Sequence, residues 1–149
     1  FILCLQILQT YINNKLLIKY RSYYMNELHI LNKDEARAEK VAMLNDQLRS
    51  KIGQGLPVGN NDFVITQGIW DCFNDDEMTT LFHNIKTFDD FSEDNDPHKE
   101  RDFGSLTAKG RKIFWKIDYY DNNLEYHSPD NTDPTQTRRV MTVMLSDEY

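Results

Sequence analysis

Hydrophobic and polar positions along the chain change their period several times, and each change predicts an element. Val41, Leu44, Leu48 and Ile52 recur at helical spacing, which predicts a helix over residues 33–52 with one apolar stripe. Asn32-Lys33-Asp34-Glu35 supplies its start, a side-chain oxygen at the cap with Glu three residues on. Gly53 and Gly55 stop it, and Pro57 reinforces the stop. The β-branched and aromatic run from Asp62 to Trp70 then reads as a strand. Asn74-Asp75-Asp76-Glu77 places acids where they offset a helix macrodipole. Met78, Leu81, Phe82, Ile85 and Phe88 form the apolar face of that second helix, which should end between Phe88 and Phe91.

Beyond it the period drops to two. Residues 89–102 are too polar for a core element and predict an exposed loop. Phe103–Ala108 and Lys112–Tyr120 predict two strands joined around Lys109-Gly110. In the second, Ile113, Trp115, Ile117 and Tyr119 share one face, with Phe114, Lys116, Asp118 and Tyr120 on the other. Asp121-Asn122-Asn123 is a turn, Leu124–His127 returns briefly, and 128–135 is a loop. Arg138–Leu145 is the last strand, with Met141, Val143 and Leu145 on its more apolar face. This order predicts the α+β class: two helices packed on a curved, mainly antiparallel sheet of about four or five strands.

Composition changes the picture at the N-terminus. Phe, Ile, Leu, Lys, Asn and Tyr fill 18 of the first 24 positions, and Ala, Gly, Pro, Val, Asp and Glu are missing there. The expectation is that residues 1–24 are a non-native upstream extension, with Met25 the natural start and 25–149 a single α+β domain. The apolar run opens at Phe1 without a basic lead and no small-residue cleavage site follows, so a signal peptide fits poorly. Gln6, Gln9, Asn13, Asn14 and Lys15 break it too often for a membrane span.

Charge follows from the same division. The whole chain is −7, and residues 25–149 alone hold 14 basic and 24 acidic residues, a net −10. That balance lacks the basic footprint of a nucleic-acid binder. Outside the first 24 residues Cys72 is the one cysteine, which excludes a disulfide framework and points to a cytoplasmic protein. A half-buried thiol beside Trp70 and Phe73 accounts for it better than a nucleophile.

Candidate chemistry concentrates between Asp94 and Asp121. Asp94, Asp96, His98, Glu100 and Asp102 crowd one loop, Asp118 and Asp121 flank Tyr119 and Tyr120, and Arg139 enters from the last strand. Such acids bind metal, catalyse, or only cap turns. Neither register from Asp90 or Asp94 supplies the Gly and Glu of an EF-hand. A looser Mg²⁺ or Mn²⁺ site from Asp96, Glu100 and Asp102 with His98 stays open, as does an acid/base pair of Asp118 and Asp121. Against these stand turn capping by Asp94 and Asn95 and an ion pair of Asp118 with Lys116, its neighbour on the same strand face. Glu100 could pair with Arg101 or Arg139, and Arg139 with an acid of the 94–104 loop or with Asp118. No P-loop, dinucleotide fingerprint, Ser-His-Asp arrangement or zinc-ligand cluster is present.

Several motifs fall together in order: Leu44-Asn45-Asp46 with Arg49, Thr66-Gln67-Gly68-Ile69, Asn95-Asp96-Pro97, Glu100, Asp102-Phe103-Gly104, Trp115-Lys116-Ile117-Asp118-Tyr119-Tyr120-Asp121, Ser128-Pro129-Asp130, Asp133-Pro134, Thr137, Arg139-Val140, Thr142, Met144-Leu145 and Glu148-Tyr149. In this the chain resembles the bacterial family called Domain of Unknown Function 3768, over roughly residue 36 to the C-terminus. The resemblance implies no established activity. Where that family reads Asp-Pro-Tyr-Gly-Glu-His-Asp-Phe-Gly, this chain has Arg101 at the His position and His98 two residues after Asp96. That departure weakens any mechanism needing the family's His.

Two function classes follow. The preferred one is a non-catalytic, acidic protein-binding or regulatory module without a cofactor, whose partner presents a basic protein surface, with no direct nucleic-acid or membrane binding expected. The alternative is a metal-dependent hydrolase using the Asp96, Glu100 and Asp102 carboxylates.

Overall fold

The computed structural model describes residues 2–55 and 59–149, with side chains from residue 15 onward. The chain divides into two compact units, one ending at Arg37 and one spanning Ala38–Tyr149. The first unit is helical from Ile2, and residues 15–37 are exposed at every position. Among the described residues no helix is long and apolar enough to cross a membrane.

The helix predicted over 33–52 is longer and ends slightly earlier: α1 runs Ile2–Arg49 without a break. The cap at Asn32 is therefore overruled. Nothing from Met25 to Leu31 is Gly or Pro, so the local cap cannot outcompete an unbroken run of helix formers. The stop at Gly53 and Gly55 holds, and Pro57 lies outside the described residues. Lys51 and Ile52 donate to the carbonyls of Leu48 and Arg49, tightening the chain, and Gly53 and Gly55 take the left-handed φ values +75° and +72°.

In the second unit, α1 ends over a four-stranded sheet formed by β1 (Asp62–Ile65), β2 (Phe103–Ala108), β3 (Arg111–Tyr120) and β4 (Arg138–Leu145), in the order β1-β4-β3-β2. The class is α+β as expected, but the sheet is mixed: β1 runs parallel to β4, while β2–β3 and β3–β4 are antiparallel. The β2–β3 hairpin turns on Lys109 and Gly110, both with positive φ, the pattern of a tight two-residue turn. Leu124–His127 contributes only an isolated bridge, Tyr120 to His127.

The strand predicted over 62–70 stops at Ile65, and Gln67–Cys72 forms a helix, α2. Its start is stabilised from the far end of the chain. The Glu148 carboxylate, in a short 3₁₀ turn (Ser146–Glu148), accepts from Thr66 Oγ1 (2.6 Å), from Gly68 N (3.1 Å) and from Leu145 N (2.9 Å). An acid at a helix N-terminus satisfies free N–H groups and opposes the macrodipole. A third helix, α3 (Asp75–Lys86), opens where the acids of 74–77 were expected, with Asn74 and Glu77 exchanging reciprocal hydrogen bonds, and ends two residues short of the expected Phe88.

The core lies between the helices and one sheet face. Leu48, Ile52, Ile69, Phe73, Met78, Leu81 and Ile85 pack with Ile113, Trp115, Ile117, Met141, Val143 and Leu145. Trp115 is fully buried, and its strand partner is Gly104. A Cβ at Gly104 would collide with the indole, so the glycine is what lets the ring lie across β2. Cys72 is half-buried, as expected.

Candidate functional site

The acid-rich segment between α3 and β2 is anchored by apolar and cationic groups before its carboxylates come into play. Phe88 and Phe91 meet Trp115 edge-on, with ring centroids 5.5 and 6.3 Å away. Arg49, buried near the end of α1, sits 5.4 Å from the centroids of both Phe91 and Trp115. Its Nη1 donates to the carbonyls of Ile85 (2.6 Å), Lys86 (3.1 Å) and Phe88 (2.9 Å), around the end of α3. Its Nη2 pairs with Asp46 at 2.7 Å, and Asp46 also holds Arg101 at 2.6 Å.

Asp96 is the most deeply buried acid of the segment, 7% exposed. Its Oδ1 accepts from the backbone N–H groups of Glu100 (2.9 Å) and Arg101 (3.0 Å), around a turn in which Lys99 and Arg101 take positive φ. The carboxylate supplies the acceptor that makes this strained turn worth forming.

Next to that turn lies a polar network joining four parts of the unit. Asn45 of α1, fully buried, donates through Nδ2 to Glu100 O (2.8 Å) and Tyr119 Oη (2.7 Å). Tyr119 Oη donates to Glu100 Oε2 at 3.1 Å. Arg139 of β4, 2% exposed, donates through Nε to Asn45 Oδ1 at 3.0 Å and through Nη2 to the carbonyl of Asn131, with its guanidinium 5.5 Å from the Tyr119 ring centroid. Burial weakens the Arg139 cation, while Tyr119 and Glu100 favour it. Glu100 reaches Arg139 only as a charge effect, while the side-chain hydrogen bonds of the guanidinium go to Asn45 and to the Asn131 carbonyl. Burial also pushes the Tyr119 phenol far above its ordinary value, so it stays a neutral donor. Asp102, half-buried beside Glu100 and Asp96, has its pKa raised, first by burial and then by Glu100.

The sequence candidates therefore divide. Asp96, Glu100, Asp102, Tyr119 and Arg139 are gathered here. Asp94 and His98 stay exposed on the same loop, with His98 reaching Asp102 only as a charge effect. Asp118 lies on the opposite sheet face, paired with Lys116 at 2.8 Å. Asp121 closes its turn by accepting from Asn123 N (3.1 Å) and Glu125 N (3.0 Å). Asp118 and Asp121 are thus committed to separate local contacts. Among the described residues no group of three or more His, Cys, Asp or Glu is placed to hold a metal ion. A groove of about 370 Å³ lined by Ile52, Phe63, Ile65, Trp70 and Phe82 includes none of the 94–102 carboxylates.

Asn45, Asp46, Arg49 and Asn131 complete the network without having been singled out by charge or spacing. Helical period signals apolar positions, and an inward Asn between Val41 and Leu48 carries no such signal. Only the resemblance, through Leu44-Asn45-Asp46 with Arg49, pointed to three of them.

The profile of a family described as "Protein of unknown function (DUF3768)" matches residues 65–148. The match covers Glu100, Tyr119 and Arg139 and begins after Asn45 and Arg49. No curated protein and no solved structure matches the chain.

Proposed function

The chain belongs to the DUF3768 family, and from the division of its carboxylates we propose that it is a non-catalytic, acidic protein-binding module whose partner presents a basic protein surface. One observation carries this reading. Asp89, Asp90, Glu93 and Asp94 are exposed and take part in no ion pair among the described residues. The acids with catalytic spacing are instead engaged: Asp96 by backbone N–H groups, Glu100 by Tyr119, Asp118 by Lys116 and Asp121 by its own turn. Exposed, unpaired charge of one sign steers an opposite partner and selects against like-charged ones. Residues 38–149 carry 21 acidic and 12 basic residues, so the wider field has the same sign.

The test is titration with a synthetic Lys/Arg-rich peptide at low and high salt, using the chain and a variant with D89N, D90N, E93Q and D94N. Binding should weaken with salt and fall about tenfold or more in the variant. Equal binding by the variant would overturn the reading. Saturable stabilisation by Mg²⁺ or Mn²⁺, lost in Asp102→Asn and not reproduced by NaCl at equal ionic strength, would favour the metal-dependent hydrolase instead.

A further inference from the structure

Residues 15–37 of α1 are exposed at every position, so their pattern shows what this helix offers to its surroundings. Leu17, Tyr20, Tyr24, Leu28 and Leu31 recur at spacings of three, four, four and three, which sets them along one face. Each of the five is at least half exposed. Leu16 and Tyr23 widen the face on one side, Ile18 and Met25 on the other, so apolar positions run round more than half of the helix. What remains is a narrow polar ridge of Lys15, Lys19, Ser22 and Asn26, at spacings of four, three and four.

The face is bounded at both ends. Upstream, Gln6, Thr10 and Asn13 occupy the positions where it would continue, and downstream Asp34 and Glu35 do. Residues 16–31 of a helix are about 24 Å long, short of the roughly 30 Å hydrocarbon core of a bilayer, so the face can lie on a membrane but not cross it. Charge selects the kind of surface. Lys15, Lys19 and Arg21 all precede Glu27, the first acid of the chain. A second copy laid alongside in parallel would bring three more cations against these three, whereas an anionic surface attracts them. The width of the face favours a surface too, because a partner helix covers only a narrow seam. Tyr20, Tyr23 and Tyr24 are of a residue type that settles at the boundary between acyl chains and water.

We propose that residues 16–31 of α1 form a surface-binding helix for anionic lipid, with the Leu17–Leu31 face entering the headgroup layer and Lys15, Lys19 and Arg21 reaching lipid phosphates. The expectation against membrane binding rests on the lack of a spanning run, and a helix lying in the interface needs only one bounded face. The acid-free composition that sets residues 1–24 apart is also what such a helix requires, and α1 runs through Met25 without a break. The proposal stands apart from the 89–94 acids and from the partner proposed for them.

The test is flotation of the full chain with vesicles of phosphatidylcholine alone and of phosphatidylcholine mixed with phosphatidylglycerol. The anionic vesicles should bind it about tenfold or more tightly, and NaCl should weaken that binding. Two variants separate the contributions: K15Q/K19Q/R21Q removes the charge and keeps the face, and L17S/L28S does the reverse. Each should bind the anionic vesicles about tenfold or more weakly. Neither should alter the unfolding of residues 38–149, followed by the emission of Trp70 and Trp115, because residues 15–37 are exposed. Equal binding to both vesicle types, binding that survives L17S/L28S, or no binding to either vesicle overturns the proposal. A chain that ignores vesicles but sediments as a dimer, with assembly abolished by L17S/L28S, gives the face to a second copy instead. The D89N/D90N/E93Q/D94N variant should bind vesicles no worse than the chain itself, and a loss there would also overturn the proposal.

Discussion

Residues 89–94 and residues 96–102 carry similar acids, yet the first stretch leaves Asp89, Asp90, Glu93 and Asp94 exposed while the second draws Asp96, Glu100 and Asp102 partly or wholly out of water. Donors make the difference. In the second stretch Asp96 meets two backbone N–H groups, and Glu100 meets the Tyr119 hydroxyl. In the first, the turn is closed by an amide: Asn95 Oδ1 accepts from Ser92 N at 2.8 Å and its Nδ2 donates to Asp90 O at 2.6 Å. The carboxylates around it are left to solvent. A carboxylate is buried where donors wait for it, and local acid density alone does not decide its fate.

The largest expected effect removes the anchor that both stretches share. Trp115→Ala should cost about 3–5 kcal/mol in denaturant unfolding, as for other large buried aromatics. Phe88 and Phe91 would lose the ring they pack against, so amide exchange should rise across both stretches. A near-neutral result would mean that Trp115 anchors neither.

Asp96→Ala is next. It strips the acceptor from the Glu100 and Arg101 N–H groups and should cost about 1–3 kcal/mol, whereas Asp96→Asn keeps an acceptor oxygen and should cost less. Equal losses would show that the charge, and not the turn, sets the value of Asp96.

Asp102 gives the comparison a pH dependence. Its folded-state pKa is raised above the ordinary 3.8 by burial and by Glu100, so the ionised form costs folding free energy. Its contribution is most favourable below the unfolded pKa and is lost as pH climbs through the folded one. Asp102→Asn should therefore raise the unfolding midpoint at neutral pH, and the gain should shrink as pH falls through the carboxylate range. A constant difference across that range would exclude the titration of Asp102 as its source.

The smallest effect belongs to the outer stretch. Neutralising Asp89, Asp90, Glu93 and Asp94 together should change stability by no more than about 0.5 kcal/mol per site. A larger loss would place those acids in the fold after all.

Local rules were enough wherever an element's partners are its own neighbours in sequence. Period-two alternation put Ile113, Trp115 and Ile117 on the buried face of β3, and α3 starts where the acids of 74–77 placed it. The same alternation marked Met141, Val143 and Leu145 of β4 as core. Only the tertiary structure decided the rest, because the deciding group lay far along the chain. Glu148, 80 residues from Gly68, stabilises a helix start where local composition reads as continued strand. The parallel pairing of β1 with β4 fixes an edge that four residues of sequence cannot announce. Asn45 and Arg139, 94 residues apart, make a buried polar contact that no period encodes, since periodicity reports which side of an element is apolar and says nothing of which donors will meet which acceptors.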